Sequence, residues 1–441
     1  MIKLILVIIS IYLQGKVMIK FITISLSILL AVSASYAQEV QEKRDREVSV
    51  RKAIDSFSKV GTKEISTVAK FKAMFSEGKV IGQLRMVAAG YDLKEIGETD
   101  NYAAAAGGML KYELAELNGF NAGVAFTTSQ DIDFMTGDEN HAKHNPELSS
   151  SAGAYTELTE LYVNYKNSGL NIRLGRQILD TPLADSDDAR MIPNTFEAYM
   201  ATYEVSNFTL MAGNIQSWQG ADAGLDDAWQ KIGDKGVNLA GLTYSNILEA
   251  NVWYYQISQN TNALYLDLGV DYAFNDDFTF YASMQYLQEK ELENSGLEAD
   301  IYGLLVEGVA YGFGMNIAYN KSEGKSGKRS YVGVGGGTMY TSMDTMIIDE
   351  ITEDRDADAL VLGLVYSISD WNFLYAHGSF VGDANRAGEK AHIVEQDMGF
   401  EYSVNDEFVV AAIYVIQEDL ENSVKTANDW SRAQLMVKYD F

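Results

Sequence analysis

The connections in this chain alternate in length, and that rhythm limits what it can fold into. Between Lys79 and Phe441 about 18 short strand-like runs can be marked, and the breaks between them are tight and long by turns. The tight breaks are turn chemistry: Asn118-Gly119, Asn167-Ser168-Gly169, Ser206-Asn207, Ser245-Asn246, Asn275-Asp276-Asp277, Glu307-Gly308, Ser369-Asp370 and Asn405-Asp406. Gly, Asn and Asp accept the positive φ of two-residue hairpins, and Asn, Asp and Ser can bond their own backbone. Longer polar stretches fall between them, notably 129–154, 179–194, 219–235 and 321–357. A soluble sandwich has no reason to keep one end tight and the other long. A membrane barrel does, with short periplasmic turns and long extracellular loops. The expected fold is all-β: a transmembrane antiparallel β-barrel of about 18 strands over residues 78–441, both ends on the periplasmic side.

The segment before the barrel divides in two. Met18-Ile19-Lys20 opens a charged region, Phe21 to Val32 is apolar, and Ser35-Tyr36-Ala37 is a small-x-Ala site. That pattern predicts a signal peptide over 1–37 cleaved before Gln38, with Met18 as an alternative start. The apolar run Leu4–Leu13 lies upstream of it. Neither run reaches the ~18 apolar residues of a spanning helix. Residues 38–77 have mixed charge and no turn dipeptides, with Ile65, Val68, Phe71, Met74 and Phe75 among lysines. They are expected to form a short helix or loose segment, at the membrane interface or in the barrel mouth.

Composition fits an exported barrel. Cysteine is absent, so stability must come from something other than disulfides, here a closed hydrogen-bonded sheet. The three prolines, Pro146, Pro182 and Pro193, fall in expected loops, leaving strand N–H groups free to pair where lipid offers no partner. Formal net charge is −28; removing 1–37 deletes three lysines and no acid, leaving 31 basic against 62 acidic residues, or −31. That argues against nucleic acid as a partner. It fits acidic extracellular loops or a cation-favouring field at a pore mouth.

The strands alternate apolar and polar residues with period two. In 430–441, Ala433, Leu435, Val437, Tyr439 and Phe441 share one face and Arg432, Gln434, Lys438 and Asp440 the other. Strands 264–272, 278–286 and 313–320 repeat the pattern, whereas 360–367 and 408–416 are apolar on both faces. Charges on the polar face could not be buried unpaired in a packed interior. Aromatics near strand ends (Tyr162, Tyr165, Trp218, Tyr286, Trp371, Tyr402, Tyr439) suggest interfacial girdles.

Residues 170–204 hold two of the three prolines, with Asp180, Asp185, Asp187, Asp188 and Arg190 close by. This is the third long loop, between the fifth and sixth strands. The run GRQILDTPLADSDDARMIPNTFEA (Gly175–Ala198) resembles the constriction region of OprD-type outer-membrane porins, and GGMLKYELAELNGFNAGVAFTT (Gly107–Thr128) resembles their second and third strands. The resemblance implies an 18-stranded barrel in the Gram-negative outer membrane. Its solutes would be small and hydrophilic, often carboxylate-bearing, and would pass a ladder of basic side chains facing acids from inward loops. Arg190 is the position carried over as a pore-lining cation, with Arg176 a second. The partners expected are outer-membrane lipid, lipopolysaccharide and the solutes themselves, for a monomer or homotrimer with no cofactor. The abundance of acids departs from a carboxylate-passing pattern.

Alternation alone nominates further pore-lining charges: Arg173 on strand 170–178, Glu160 and Lys166 on the strand before it, Arg85 on the first strand, and Arg432 and Lys438 on the last. The residues also suggest other functions. His377-Gly378-Ser379 has the His-x-Ser spacing of outer-membrane phospholipase A, without its flanking Asn-Gly. An omptin-like protease would need Asp–His pairs, and the four histidines include His141 and His144 in an early loop. Asp185, Asp187 and Asp188 are hard oxygen ligands that could suit Ca²⁺, though not with EF-hand spacing. Gly333-Val334-Gly335-Gly336-Gly337 is no phosphate loop, since no Lys-Ser/Thr follows. A structural or adhesive barrel also fits. The reading preferred is a passive porin without a catalytic centre.

Overall fold

The computed structural model describes residues 67–441, apart from 95–99, 138–143, 227–228, 276, 336 and 422–428. The expected signal peptide therefore lies outside the described residues, as does His141. A helix, α1 (Thr67–Ser76), precedes nineteen strands. These are β1 (Lys79–Leu93), β2 (Asn101–Glu113), β3 (Phe120–Asp131), β4 (Ala154–Asn167), β5 (Leu170–Gln177), β6 (Thr195–Val205), β7 (Phe208–Gln219), β8 (Gln230–Lys231), β9 (Val237–Ser245) and β10 (Leu248–Ile257). There follow β11 (Thr261–Asn275), β12 (Phe278–Glu291), β13 (Ala299–Ala310), β14 (Phe313–Gly324), β15 (Ala357–Ile368), β16 (Trp371–Gly382), β17 (Ala391–Ser403), β18 (Phe408–Asp419) and β19 (Trp430–Asp440).

Neighbouring strands pair antiparallel in one sheet, and β1 pairs with both β2 and β19, which closes it. Eighteen strands form the barrel; the two-residue β8 is an extra pairing on β7. Closure leaves no sheet edge and pairs the backbone that lipid could not satisfy. Tight turns all lie at the end where β1 starts and β19 stops. The opposite end carries the long connections, of which the three residues 258–260 are the short exception.

Two turns differ from the sequence expectation. Glu307 and Gly308 lie inside β13, and the hairpin turns instead at Tyr311-Gly312. Both residues have positive φ (53° and 79°), as at Asn118-Gly119 (52° and 87°) and Ser168-Gly169 (48° and 87°). That is the type I′ geometry of two-residue hairpins. Tyrosine gives no turn signal there, because a residue with a side chain seldom takes this φ; Gly312 takes its own without cost. The Ser245-Asn246 break lies one residue later, at Asn246-Ile247.

The outer face is an apolar band. Leu84, Leu110, Phe126, Leu161, Leu268, Met284, Leu304, Met315 and Leu362 are exposed although large and hydrophobic, as lipid contact requires. Aromatics crowd the short-turn end, with Phe120 against Tyr165, Phe208 against Tyr244 and Trp371 against Tyr402 at 4.4–4.9 Å between ring centroids. Two expected girdle members point inward instead. Tyr162 is buried beneath Arg173, and Trp218 stacks on the fully buried Phe196.

Nor is the interior polar throughout. Wall residues Phe196, Ile215, Tyr255, Leu287, Ile301, Ala359, Val361 and Phe380 pack against Leu183, Val334, Met343, Met346, Ile348 and Ile351 from two loops. This explains why 360–367 reads apolar on both faces: Leu360, Leu362 and Leu364 face lipid while Ala359 and Val361 lie under loop 325–356.

The last residue closes the seam. Phe441 N–H donates to Gly82 O (2.9 Å) and Gly82 N–H to Phe441 O (2.8 Å). The Phe441 ring fills the space of a side chain at Gly82, where a Cβ would stand 2.1 Å from its Cζ. Gly82→Val should therefore act like deletion of Phe441, lowering the yield of heat-modifiable barrel in the outer membrane. Equal yields of both variants and the parent would show that this seam contact is dispensable.

Candidate functional site

Four loops at the long-loop end turn inward and meet. Loop 178–194 leaves β5 and returns to β6, and its tip reaches the seam between β1 and β19. There Arg85 Nη2 donates to Asp188 Oδ2 (2.5 Å), Arg85 Nη1 to Arg190 O (2.5 Å), and Gln434 Nε2 to Ala189 O (2.9 Å). Strand alternation puts Arg85 and Gln434 on the inner face, so two wall side chains hold the loop tip. Arg190 reaches the loop 220–236, donating from Nη1 to Asp222 Oδ1 (2.8 Å); Asn194 Nδ2 donates to Asp222 Oδ2 (2.7 Å).

Loop 325–356 also enters the barrel. Thr341 N–H and hydroxyl both donate to Asn320 Oδ1 (3.0 Å), and Gln285 Nε2 donates to Thr338 O (2.7 Å). Asp344 N–H donates to Asp397 Oδ2 (3.1 Å) and Thr345 N–H to Glu395 Oε1 (3.0 Å). The partners lie on β12, β14 and β17, so the loop is fastened over a broad arc of wall. The two large loops pair with each other through Ala184 and Val334, with Asp185 N–H donating to Val334 O and Val334 N–H to Leu183 O, each at 3.1 Å. Gly333 and Gly335 make this approach possible. Their φ values are +118° and +69°, and a Cβ would lie 2.6 Å from Leu183 O and 2.3 Å from Asp185 O. Gly333 to Gly335 thus form an interior loop contact, whereas the sequence placed the run in a long surface loop.

Arg432 fastens a third loop. It is 1 % exposed, and donates to Glu147 Oε2 (2.9 Å) of loop 132–153 and to Asp344 Oδ2 (2.8 Å) of loop 325–356. Tyr91 donates to the same Glu147 at 2.5 Å. Burial raises the Glu147 carboxyl, but Arg432 and Arg190 outweigh it and hold it at about 2. Arg85 and Arg432 are therefore buried clamps joined to loop carboxylates, rather than free pore-lining cations.

The other nominated residues are scattered by comparison. Arg173 lies on the inner face over the Tyr162 ring (4.4 Å), and Glu160 accepts from Lys111 Nζ (2.9 Å) beside it. Lys438 is opposite Arg85 in register and pairs with Asp440 (3.2 Å), while Lys166 is exposed toward the short-turn end. Arg176 is opposite Leu161, bonds Glu157 (3.3 Å) and the Leu158 carbonyl, and covers Trp229. It is not part of the Arg85–Arg190 cluster. The acids of loop 178–194 diverge: Asp180 accepts from Ser186, Asp185 from Asp187 N–H, and Asp188 from Arg85. Asp185, Asp187 and Asp188, the Ca²⁺ candidate, are not among any group of three or more acids placed to share an ion among the described residues. Asp187 is different in kind. Burial, with Asp222 and Asp185 nearby and Arg190 opposing, pushes its carboxyl up to about 7.

The His-x-Ser pair behind the enzyme alternative makes no contact of its own. His377 and Ser379 share the lipid-facing side of β16, but Ser379 Oγ is paired with His392 (3.1 Å) rather than with His377. Among the described residues no carboxylate bonds His392. Sequence reasoning missed Glu147, Asp222 and Asp344. The three acids are ordinary polar residues of long loops, and only the fold brings them to Arg190 and Arg432.

A barrel of eighteen strands with an inward third loop narrows the choice of family, and a family comparison decides it. Residues 123–441 match the model for the outer membrane porin, OprD family. The chain belongs to the OprD family of outer-membrane porins. Solved structures agree in fold. OccK9 (OpdG) of Pseudomonas aeruginosa is 15 % identical, with 84 % of this chain and 99 % of that one covered at TM-score 0.72. A BenF-like porin from Pseudomonas fluorescens Pf-5 is 14 % identical, with coverages of 83 % and 99 % at TM-score 0.72. OpdK of Pseudomonas aeruginosa, solved with vanillate, is 16 % identical, with coverages of 83 % and 99 % at TM-score 0.70. No curated protein sequence matches the chain. As an OprD-family porin it is a multi-pass β-barrel of the Gram-negative outer membrane that passes small solutes, and its family and fold are those of a channel.

Proposed function

We propose that solutes cross a constriction built by loops 178–194 and 325–356, and that it favours cations and dipolar solutes over simple anions. The observation carrying this is that every guanidinium in the cluster already has a carboxylate. Arg85 is matched by Asp188, Arg190 by Asp222, and Arg432 by Glu147 and Asp344. Asp180 and Asp185, joined by Asp187 above neutral pH, remain in excess. In a narrow, poorly screened space that surplus repels anions and orients dipoles. Vanillate, a carboxylate, was bound to OpdK; in this chain the buried arginines are committed to loop acids, so a carboxylate solute would have to displace them. Calcium and catalysis have no role in this reading. Outer-leaflet lipopolysaccharide is the expected neighbour of the long-loop rim, around a monomer or homotrimer.

Reversal potential across planar bilayers in asymmetric KCl tests the proposal. It should show cation preference, lessened in Asp185→Asn. Arg190→Ala should move it further toward cations, because Asp222 then loses its counter-charge. Anion preference in the parent would overturn the reading.

The pH dependence has a definite sign. An Asp187 carboxyl raised to about 7 is neutral at pH 6 and charged at pH 8, so cation preference should increase as pH rises through neutrality. Asp187→Asn should lessen this change while leaving a residual preference. A pH-independent potential in the parent would mean that Asp187 does not face the permeation path.

A further inference from the structure

Helix α1 sits outside the barrel rather than in its mouth. Ala115 N–H donates to Met74 O (2.9 Å), the Met74 side chain is buried, and the Tyr112 hydroxyl donates to Phe75 O. Tyr112 alternates with Leu110, which is 55 % exposed on the lipid face, and lies opposite Val80, which is 61 % exposed. Gly78 makes the seat possible, because a Cβ there would stand 2.5 Å from the Tyr112 hydroxyl oxygen. The helix thus rests against the lipid-facing surface of the barrel at the short-turn rim.

One face of α1 remains uncovered. Phe71 and Phe75 are 57 % and 49 % exposed, their rings edge-to-face at 5.4 Å. Helical spacing places them with Met74, with Lys70 and Lys72 on the two flanks and Ala69 and Ala73 behind. This is the pattern of an interfacial helix: apolar side chains enter the acyl boundary while lysine stems carry their charge back to the headgroups. The exposed pair also continues the apolar band of Val80 and Leu110 and the girdle ring of Phe120. Lipid already covers that band, so the same phase would reach the phenylalanines.

We propose that α1 is an interfacial anchor, with Phe71 and Phe75 immersed in the periplasmic leaflet of the outer membrane and Lys70 and Lys72 at the level of its phosphates. The site takes a phospholipid surface, and it lies outside the pore.

Absence of cysteine makes a direct test simple. Single-cysteine variants Phe71→Cys, Phe75→Cys, Lys72→Cys and Leu110→Cys of the full chain are nitroxide-labelled in phosphatidylethanolamine–phosphatidylglycerol vesicles. Collisions with oxygen, which concentrates in lipid, and with a water-soluble nickel chelate are then compared. Labels at 71 and 75 should favour oxygen as the Leu110 control does, and the label at 72 should favour the nickel chelate. Nickel accessibility at 71 and 75 equal to that at 72 would overturn the proposal. So would labels shielded from both reagents, which would indicate a protein partner on that face. A Phe71→Ser/Phe75→Ser variant should keep its heat-modifiable barrel and its conductance while the Lys72 label gains mobility. An unchanged Lys72 spectrum would also count against lipid anchoring.

Discussion

Excising residues 183–191 should raise single-channel conductance severalfold and flatten the discrimination between small and bulky solutes. The loop starts at β5 and β6 but is held at the β1–β19 seam by Arg85 and Gln434, so it crosses the lumen rather than lining one wall. A short Gly-Ser replacement would remove Asp185, Asp188 and Arg190 together with the Ala184–Val334 pairing. The barrel itself should stay closed, because its ladders do not involve this segment. Loop 325–356 should stay in place too, through Gln285, Asn320 and Glu395. Planar-bilayer recordings with excision of 383–390 as a control would check this. A conductance equal to the parent's would mean that loop 325–356 alone sets the narrow point.

Arg432→Met should release two loops at once without unfolding the barrel. Removing one partner of a buried ion pair costs about 3–5 kcal/mol, because the remaining charge is left buried without compensation. Here two carboxylates, Glu147 and Asp344, lose their shared guanidinium. The relief available to them is to move into water, taking loops 132–153 and 325–356 along. Expected results are faster protease nicking within 132–153 and 325–356, and current noise absent from the parent, with heat modifiability retained. Adding Glu147→Gln and Asp344→Asn should restore much of the protection, since no unpaired charge then remains. A quiet channel with both loops protected in Arg432→Met would show that backbone contacts such as Thr345 to Glu395 suffice to hold them.

Much of the architecture was written locally. Turn dipeptides with positive φ, alternation on the strands and the start at Lys79 each depend on residues near one another in the chain, where steric rules act directly. The failures have the same origin. Tyr311-Gly312 escapes the sequence reading because tyrosine seldom takes the positive φ that the first residue of this turn requires, so Gly312 is the one local signal. Tyr162 and Trp218 read as girdle residues because an aromatic near a strand end looks the same whether it meets lipid or a loop.

For the site, sequence supplied candidates and the fold supplied partners. Alternation put Arg85 and Arg432 on the inner face, and the motif resemblance singled out Arg190. Whether these were free cations depended on Asp188, Glu147, Asp344 and Asp222, which lie 32 to 285 residues away in the chain. No local pattern marks an acid in a long loop as the counter-charge of a wall arginine.

Local residue patterns sufficed for an antiparallel barrel with one tight and one long-loop end, and they marked the loop between the fifth and sixth strands. Only the tertiary structure decided that loop 325–356 also enters, that apolar packing fills part of the interior, and that the arginines are clamps. Strand period and turn type are set by the covalent neighbourhood of each residue. Pairings across the lumen are set by where closure brings distant loops, and that depends on the whole ring of strands at once.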